Sequence, residues 1–424
     1  MTITRRDLLL STAIFPTLRQ GGDIASRVVF DRVAVLASPE SGTATTASSV
    51  IISSDFPGGN ITVDKIEADA VFLRPNPKGG APDWFYWYFS VQNARDRTIT
   101  FRFPAKVIGV RGPAVSLDRG NTWQWLGTKS VVGDSFTYYF PEGSSATRFS
   151  VGMPYVEANL QQLLNGFPRN RSLKRDVLCR SEQGREVDLL HLGALDVAPK
   201  YRVLITARHH ACEMMASYAV EGLVEGVLSE DENGNWFRKN VAILVVPFVD
   251  KDGVEAGDQG KGRSPHDHNR DYKGQPIYAS VRALKEYVPR WAPSGLDFAL
   301  DIHCPTLRGG SNEELSFIAT PFPENWRRVQ SFCHTLEVVQ QGPLHYCAEN
   351  NLLYGQDWNE NYSYADFDSW AVGLAGDPIT TTLELPYSNV GGQPVTAESA
   401  RSLGRDLAMA LRRHLPVNKS SESG

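Results

Sequence analysis

The feature that most restricts the fold is the alternation of apolar and helical segments after about residue 155. Unbroken apolar runs such as "VAILVVPFV" at 241–249 are typical of strands covered on both faces, as in the centre of a sheet. Segments with helical periodicity separate these runs, which predicts an α/β layer structure. We predict strands at 202–207, 241–249, 296–302, 315–320 and 379–385, and helices at 214–227, 278–287, 324–339 and 397–414.

The part of the chain before residue 155 has a different pattern. Its aromatic and β-branched stretches, 83–93, 98–110 and 134–143, are separated by Gly, Pro, Asn and Asp, and a good helical pattern first occurs at 156–167. Short strands at this spacing are typical of a sandwich. The predicted division is an antiparallel β-sandwich accessory domain at 28–155, an α/β domain at 156–416 and a flexible tail at 417–424.

Composition limits the classes of function. The 424 residues carry a formal net charge of −5 and no long Lys/Arg run interleaved with aromatics, which disfavours nucleic-acid binding. No run of about 18 apolar residues occurs, so we expect no membrane span. The five cysteines have no CxxC spacing and are odd in number, so neither a Cys-rich zinc site nor a disulfide framework is indicated, and we expect at most one or two bridges. The oligomeric state is open.

The N-terminus contains "TRRDLLLSTAIF", in which two arginines precede an apolar stretch. This order is typical of a bacterial twin-arginine export signal. We therefore predict an export signal and lead at 1–27 and a periplasmic or exported protein. A short basic N-terminus on a cytoplasmic protein is the alternative, because no clear cleavage site follows the apolar stretch.

The strongest chemical signal lies where the strand at 202–207 meets the next helix. His210 and Glu213 are three residues apart, so in a helical turn or a tight loop both side chains can reach one cation. His303, at the end of another strand, can supply a third ligand, since ligands gather at the carboxyl ends of strands in open sheets. Two imidazoles and one carboxylate leave a position open on zinc for catalysis. His209 and Cys212 are interpreted as packed or supporting residues.

Four ordered motifs resemble the zinc carboxypeptidases of the M14 family. They are "ARHHACE", "DKDGVEAGDQGKGRSPHDHNRDY", "DIHC" and "TTLELP", at 207–213, 250–272, 301–304 and 381–386. The closest likeness is to the cytosolic-carboxypeptidase-like branch, whose members carry a β-sandwich ahead of a mixed-sheet catalytic domain. The resemblance covers residues from about 60 to 390.

The resemblance implies a set of roles for residues of this chain. One zinc ion per chain would be held by His210, Glu213 and His303, and Glu384 would be the general base that activates the zinc-bound water. Asn269 and Arg270 would hold the terminal carboxylate of the substrate.

This chain also departs from the family pattern. The family has an Arg that polarises the scissile carbonyl, and the matching stretch "GDQGKGR" offers Lys261 or Arg263 instead. A cation at either position would stabilise the oxyanion. At the position that matches the family Tyr this chain has Val372, and Tyr362 and Tyr364 are the nearby alternatives.

Further residues of the same region have open roles. His266 and His268 are interpreted as solvated loop residues, with substrate contact or a second metal site as the alternative. Arg308 is a candidate cation for an acidic C-terminal residue, a preference that the branch often has.

The function predicted from these motifs is a zinc-dependent metallocarboxypeptidase that hydrolyses the last peptide bond of a peptide or protein. One alternative keeps the zinc chemistry but acts on N-acyl amino acids or cell-wall peptides. The other is a non-catalytic protein that binds peptide or glycan. The predicted partner is therefore the C-terminus of a peptide or protein.

Overall fold

The computed structural model describes residues 50–78, 84–104, 106–144 and 147–421, with side chains up to 416. The predicted export signal at 1–27 lies outside these residues, as do residues 28–49 of the predicted sandwich and 422–424 of the predicted tail. Among the described residues, no helix combines the length and the apolar character that a membrane span needs.

The N-terminal part consists of ten short strands. They are β1 Ile51–Ser53, β2 Thr62–Ile66, β3 Ala70–Arg74, β4 Tyr88–Gln92, β5 Arg97–Arg102, β6 Ala114–Ser116, β7 Gln124–Trp125, β8 Val131–Val132, β9 Ser135–Phe140 and β10 Thr147–Ser150. They form two five-stranded sheets, in the orders β1-β4-β10-β6-β7 and β2-β3-β5-β9-β8.

Aromatic side chains hold these two sheets against each other. Phe89 and Phe149 of the first sheet pack on Phe101 and Phe136 of the second, with ring centroids 5.5 Å apart for Phe89–Phe101 and 5.2 Å for Phe136–Phe149. All four side chains are fully buried. Burial of so many large rings supplies a core for strands that are individually too short to be stable.

One strand pair departs from the predicted antiparallel arrangement. β3 and β5 are parallel, with Ala70 opposite Thr100, whereas the other pairs in the two sheets are antiparallel. The reason is topological: β4, which lies between them in the chain, belongs to the other sheet, so the chain returns to β5 in its original direction.

The second part of the chain contains a seven-stranded mixed sheet, in the order β11-β12-β14-β13-β15-β17-β16. Its strands are β11 Leu173–Arg180, β12 Glu186–Gly193, β13 Tyr201–Ala207, β14 Val241–Val246, β15 Phe298–His303, β16 Ser316–Ile318 and β17 Ile379–Glu384. The four strands β14, β13, β15 and β17 are parallel to one another, and the strands at both edges of the sheet are antiparallel to their neighbours.

The prediction of an α/β fold is confirmed. The β11–β12 hairpin was not predicted as strands, since polar residues interrupt the apolar ones in both of its strands and leave no unbroken apolar run. The two-residue strands β18 Asn389–Val390 and β19 Gln393–Pro394 form a separate hairpin.

Helices cover both faces of this sheet. They are α1 Glu157–Asn165, α2 Met214–Leu228, α3 Glu232–Asn240, α4 Lys251–Ala256, α5 Ala279–Trp291, α6 Pro323–Val339, α7 Phe367–Ala371 and α8 Ala397–Ser421. Along β13, Val203 and Ile205 enter one hydrophobic cluster with α2, α6 and α8, whereas Leu204 enters another with α5 and α7. This two-sided burial is the physical reason for the unbroken apolar runs.

The predicted helices at 214–227, 278–287, 324–339 and 397–414 correspond to α2, α5, α6 and α8. The helical backbone of α8 continues to Ser421, five residues into the predicted tail. Extension of an existing helix adds one hydrogen bond for each residue that is ordered, so no packing is needed to continue it.

The N-terminal sheets and the α/β part are in direct contact. Asn60 Nδ2 donates to the Gly257 carbonyl at 2.6 Å, and Gly58 N donates to the Glu255 carbonyl at 2.9 Å. One hydrophobic cluster runs through both parts, and the described residues belong to one compact unit. The predicted boundary at 155 falls between β10 and α1, and its status as a domain boundary stays a prediction.

Candidate metal centre and active-site cleft

Three neighbouring parallel strands end at the same edge of the mixed sheet. β13 ends at Ala207, β15 at His303 and β17 at Glu384, and His303 lies directly opposite Glu384 in the strand register. Since the carboxyl ends of parallel strands meet at one edge, the histidine from one strand and the glutamate from the next face the same cleft.

A tight turn after β13 brings the first two candidate ligands to this edge. Arg208 has a left-handed backbone with φ of 62°, and its buried guanidinium donates to the Tyr155 carbonyl at 3.0 Å and to Ser217 Oγ at 2.9 Å. A left-handed conformation is unfavourable for a residue with a Cβ, so these hydrogen bonds are needed to hold it. The turn ends at Glu213, which is the N-cap residue of α2.

The side chains of His210, Glu213 and His303 converge. Each offers one ligand atom, and these three atoms lie within 4.8 Å of one another. His210 Nδ1 lies 2.9 Å from Glu213 Oε1, and His303 Nδ1 lies 2.8 Å from Glu213 Oε2. Glu213 is fully buried, and its Oε2 makes no hydrogen bond of acceptable geometry in the described structure. A buried carboxylate oxygen in this condition, facing two imidazole nitrogens, fits a zinc ion.

The positive charges around Glu213 stabilise its ionised form. Burial would raise the pKa of Glu213, but Lys261 and the two histidines outweigh burial and hold that pKa well below its ordinary value. The deprotonated carboxylate is the form that binds a metal ion.

Asp301 fixes the orientation of the third ligand. Its Oδ2 lies 2.5 Å from His303 Nε2, while its Oδ1 accepts from Thr206 Oγ1 at 2.9 Å and lies 3.0 Å from His209 Nδ1. A carboxylate on the far nitrogen of a histidine keeps the proton there and leaves the near nitrogen free for a metal. His209 is itself fixed by Tyr272, whose hydroxyl lies 2.7 Å from Nε2.

A second group of metal-capable side chains shares His303 with the first. It consists of His209, Asp301 and His303, and all three are buried. We favour the group with His210 and Glu213, because both nitrogens of His209 already have hydrogen-bond partners. In addition, His210 lines the open cleft and His209 is not among its lining residues.

The loop at 257–262 supports the turn that carries His210 and Glu213 and is itself held by the N-terminal part of the chain. The Gln259 carbonyl accepts from Cys212 N at 2.9 Å, and its side-chain oxygen accepts from Phe85 N at 2.8 Å. Gly260 has φ of +83°, and a Cβ there would lie 2.3 Å from Ala211 N. Only glycine allows this close approach of the two loops.

Lys261 and Arg263, the two candidates for the missing carbonyl-polarising arginine, have different environments. Lys261 Nζ lies 2.8 Å from Glu213 Oε1, donates to the Cys304 carbonyl at 2.8 Å and lines the cleft. Arg263 is bound to Asp250 at 2.7 Å and Asp258 at 2.9 Å, and it lines a different cavity. The structure therefore does not bring Arg263 to the cleft, because two carboxylates hold its guanidinium elsewhere.

Glu384 faces the metal cluster across a cleft of about 560 Å³. Its Oε2 is buried and has no hydrogen-bond partner among the described residues. Burial raises the pKa of Glu384 above its ordinary value, and His303 and Lys261 offset this only in part. A carboxylate with a raised pKa is suited to accept and return a proton near neutral pH.

Asn269 and Arg270 lie in the same cleft, in a short 3-10 turn at His268–Arg270. Asp267 caps this turn by accepting from Asn269 N at 3.0 Å, and its Oδ1 lies 3.5 Å from His210 Nε2. Asn269 Oδ1 accepts from Phe367 N at 3.0 Å, while Arg270 is exposed. The cleft thus places an amide and a guanidinium at a fixed position beside the metal cluster.

The two neighbouring histidines lie outside the cleft lining. His266 Nε2 lies 2.7 Å from Asp271 Oδ1, and the His268 ring stacks on Tyr278 with centroids 3.7 Å apart. His266 is thus held within the loop, whereas His268 is 4% exposed, so the interpretation of His268 as a solvated residue is wrong.

Of the two tyrosines considered for the family position, Tyr362 lines the cleft, and its hydroxyl donates to Asp366 Oδ1 at 3.1 Å. Tyr364 is 51% exposed and, like Val372 and the exposed Arg308, is not among the lining residues.

Sequence reasoning did not identify Asp267, Asp301 or Asp368, which all contribute to the cleft or its support. The spacing of "DIH" was a usable signal for Asp301, because residues two apart on a strand share a face. Asp368 carries no comparable local signal.

Two imidazoles and a carboxylate at the carboxyl edge of a mixed sheet form a ligand set that is typical of zinc-dependent hydrolases. The family model described as zinc carboxypeptidase, Peptidase_M14, matches residues 156–314. Cytosolic carboxypeptidase 6 of Caenorhabditis elegans is 25% identical over 275 residues, which cover 56% of this chain and 59% of that protein. An uncharacterised protein of Zymomonas mobilis is 22% identical over 384 residues, 85% of this chain and 95% of that protein.

A solved structure shows the same fold. The metallo-carboxypeptidase from Burkholderia cenocepacia superposes with a TM-score of 0.72 at 21% identity, over 87% of this chain and all of that chain. Residues 156–314 are thus similar to the M14 zinc carboxypeptidases, and the chain is similar to cytosolic carboxypeptidases. The chain spans 59% of the length of Cytosolic carboxypeptidase 6, and the description of the matched family names zinc as its metal.

Proposed function

We propose that this protein is a zinc-dependent carboxypeptidase that removes the C-terminal residue from peptides or proteins. The observation that carries the proposal is the buried Oε2 of Glu384, which has no hydrogen-bond partner among the described residues and lies in one cleft with His210 and His303 of the candidate ligand set. A carboxylate in that condition is costly unless it interacts with a ligand or a reacting group.

The residues of the chain would divide the chemistry between them. His210, Glu213 and His303 would hold the zinc ion, which when bound polarises a carbonyl and lowers the pKa of water. Glu384 would accept a proton at its carboxylate from the attacking water and return it to the nitrogen of the leaving amino acid. The ammonium of Lys261 would stabilise negative charge that develops on the carbonyl oxygen.

The selection of a free C-terminus would depend on Asn269 and Arg270. A guanidinium can bind a carboxylate through two parallel hydrogen bonds, and an amide adds a neutral donor. This arrangement supports an exopeptidase over an enzyme that cuts within a chain. Retention of both the ligand set and Glu384 disfavours a non-catalytic binding protein.

We propose that the N-terminal sheets form a mostly antiparallel β-sandwich, an accessory domain that stabilises the cleft. The contacts of Gln259 with Phe85 and Cys212 support this role, because they connect the sandwich to the metal-binding turn through one residue.

We propose a cytoplasmic location rather than export. All five cysteines are free, as is usual in a reducing compartment, and several curated relatives are named cytosolic carboxypeptidases. Cell fractionation of the full chain tests this, and a processed form in the periplasm would favour the export signal at 1–27 instead.

The test of the activity uses the zinc-loaded full chain on a mixed peptide pool, read by mass spectrometry. We expect loss of single C-terminal residues, no loss from the same peptides with amidated C-termini, and no release from N-acyl amino acids. Glu384→Gln should lower kcat about 10²- to 10⁴-fold while one zinc ion per chain is retained. The control is Glu324→Gln, which removes an exposed carboxylate paired with Arg327. A Glu384→Gln variant with near-native turnover would refute the role of the base.

A further inference from the structure

The mouth of the cleft carries exposed aromatic side chains that the proposed mechanism does not use. They are Tyr354, Trp358 and Tyr364, with exposed fractions of 46%, 49% and 51%, and we call them the aromatic rim. Trp358 itself lines the cleft. The ring centroids of Tyr364 and Tyr354 lie 4.9 Å and 6.5 Å from that of Tyr362, which also lines the cleft. The rim therefore continues the wall of the cleft outwards.

This concentration of apolar surface favours an interaction site. Fourteen large apolar side chains are exposed in the described part of the chain, and Leu353 together with the three rim residues places four of them within 353–364. Single exposed apolar residues are normal on a protein surface, whereas a contiguous group marks a surface that a partner covers. Aromatic rings suit this role because each buries a large area with few rotatable bonds.

The wall that carries the rim is acidic. Between Arg328 and Arg401 the sequence contains nine Asp or Glu residues and no Lys or Arg. Asp357 and Glu360, which lie among the rim residues in the chain, are exposed. Neither forms an ion pair with a described residue, and Asp357 Oδ2 accepts from the neutral Ser311 Oγ at 2.9 Å. These two carboxylates can therefore pair with a cation from a partner.

The neighbouring loop at 305–314 does not reverse this charge. Its hydrogen bond to Asp357 places it beside the rim. The loop contains one cation, Arg308, and two carboxylates, Glu313 and Glu314. The carboxylates at the mouth of the cleft thus outnumber the cations, and a positively charged partner would complement them.

The proposed reaction determines which part of a substrate can reach the rim. The released residue would lie inside the cleft, with its carboxylate at Asn269 and Arg270, so only the chain ahead of the scissile bond can continue outwards. An extended residue spans about 3.3 to 3.6 Å. The rings that lie 4.9 Å and 6.5 Å from Tyr362 are therefore one or two residues further along an extended chain. The occupant that this arrangement favours is a polypeptide.

A Lys or Arg side chain on that polypeptide matches both properties of the rim. The face of an aromatic ring attracts a cation, the apolar stem of the side chain covers the ring, and an exposed carboxylate adds an ion pair. A Glu or Asp side chain would instead face carboxylates of like charge, which disfavours it.

We propose that the aromatic rim, with Asp357 and Glu360, binds the substrate chain ahead of the scissile bond and selects Lys or Arg at the third and fourth residues from the C-terminus. This inference rests on the proposed carboxypeptidase function. It concerns residues that remain on the shortened product, and the released residue does not take part in it.

The test compares peptides that share their last two residues and carry Arg, its uncharged analogue citrulline, or Glu at the third and fourth residues from the C-terminus. For the zinc-loaded full chain at low salt, we expect kcat/KM for the Arg peptide to exceed that for the citrulline peptide by about 3- to 30-fold, from one cation–π contact and one exposed ion pair. The difference should lie in KM with kcat unchanged, because the rim does not contact the reacting atoms. It should decrease at about 1 M salt, where exposed charges are screened.

The matched variants remove exposed tyrosine rings. Tyr354→Ala combined with Tyr364→Ala should reduce the ratio of Arg to citrulline by about 2- to 5-fold, the share of the cation–π contact. The control is Tyr139→Ala, which removes a 53% exposed tyrosine of β9 and should keep the native ratio. Circular dichroism checks the fold of both variants.

A native ratio of 1, a preference for Glu, or the same ratio in the double variant as in the native chain would overturn the assignment and leave the carboxypeptidase proposal intact. Absence of cleavage of every peptide would contradict the proposed function instead. Calorimetric binding of the Arg and citrulline peptides to the native chain then tests the rim without turnover, and equal affinities would refute the inference. The same binding comparison serves if the double variant does not fold.

Discussion

Replacement of Asp301 by Asn tests how the fold prepares the third metal ligand. The substitution keeps the shape of the side chain and one acceptor oxygen, but it converts the other oxygen into a donor. Thr206 Oγ1 donates to Oδ1 at 2.9 Å, so the remaining oxygen is expected to stay there, while His209 Nδ1 lies 3.0 Å from Oδ1 and 2.9 Å from Oδ2. The new amide nitrogen then faces His303 Nε2, which lies 2.5 Å from Oδ2 in the native chain.

The expected consequence is a change of tautomer at His303. An amide N–H in this position favours a lone pair on Nε2 and therefore a proton on Nδ1, the nitrogen that faces Glu213. A protonated nitrogen cannot bind zinc, so metal binding must first reverse the tautomer. Loss of such a supporting carboxylate typically weakens metal affinity 10- to 100-fold, or about 1.4 to 2.7 kcal/mol.

The measurement is a competition titration of zinc against a chromogenic chelator, with far-UV circular dichroism to check the fold. Thr206→Val is the graded control, because it removes one hydrogen bond to Asp301 and leaves the contact with His303 in place. We expect its zinc affinity to remain within a few-fold of the native value. If Asp301→Asn folds and binds zinc as tightly as the native chain, the argument about the tautomer is wrong.

Three further substitutions test other parts of the structure. Gly260→Ala should lower the free energy of unfolding by about 2 kcal/mol or more and weaken zinc binding, because its Cβ would lie 2.3 Å from Ala211 N; urea unfolding and zinc titration measure both effects. Phe149→Ala should cost about 3 to 5 kcal/mol in urea unfolding, because this fully buried ring contacts both N-terminal sheets. Burial lowers the pKa of His414 to about 4 from an ordinary value of 6.5, so the unfolded chain binds the proton first as pH falls. The free energy of unfolding should therefore decrease as the pH falls from 6.5 to 4, and His414 should contribute about 2 kcal/mol of this decrease after allowance for solvent screening. In His414→Asn this contribution should be absent, so denaturation at pH 7 and at pH 5 should show a smaller loss of stability than in the native chain. Equal slopes of stability with pH in the native chain and in His414→Asn would contradict this reading.

Much of the α/β part could be predicted from the sequence, because its parallel strands are buried on both faces and leave an unbroken apolar signal. The strand at 241–249 and the helix at 214–227 are examples, and the observed β14 and α2 differ from them only at their ends. The β11–β12 hairpin lacked this signal, since polar residues interrupt the apolar ones in both of its strands. The parallel pairing of β3 and β5 depends on the path of β4 through the other sheet, which no local pattern reports.

Part of the candidate site could also be predicted from the sequence, and part could not. His210 and Glu213 could be paired from their spacing, because a turn entering a helix places such residues on one side. The choice between Lys261 and Arg263 could not be made, since both are cations in one glycine-rich loop. Asp250 and Asp258 decide it by binding Arg263 away from the cleft.

The sequence by itself determined which strands are buried and which side chains could bind a metal ion, because periodicity and residue chemistry are local properties. Only the tertiary structure decided that Glu384 lies opposite His303, that Asp301 contacts both His209 and His303, and that Asp368 lines the cleft. These relations join segments that are distant in the chain, and their energies depend on burial and distance, which a local pattern does not contain.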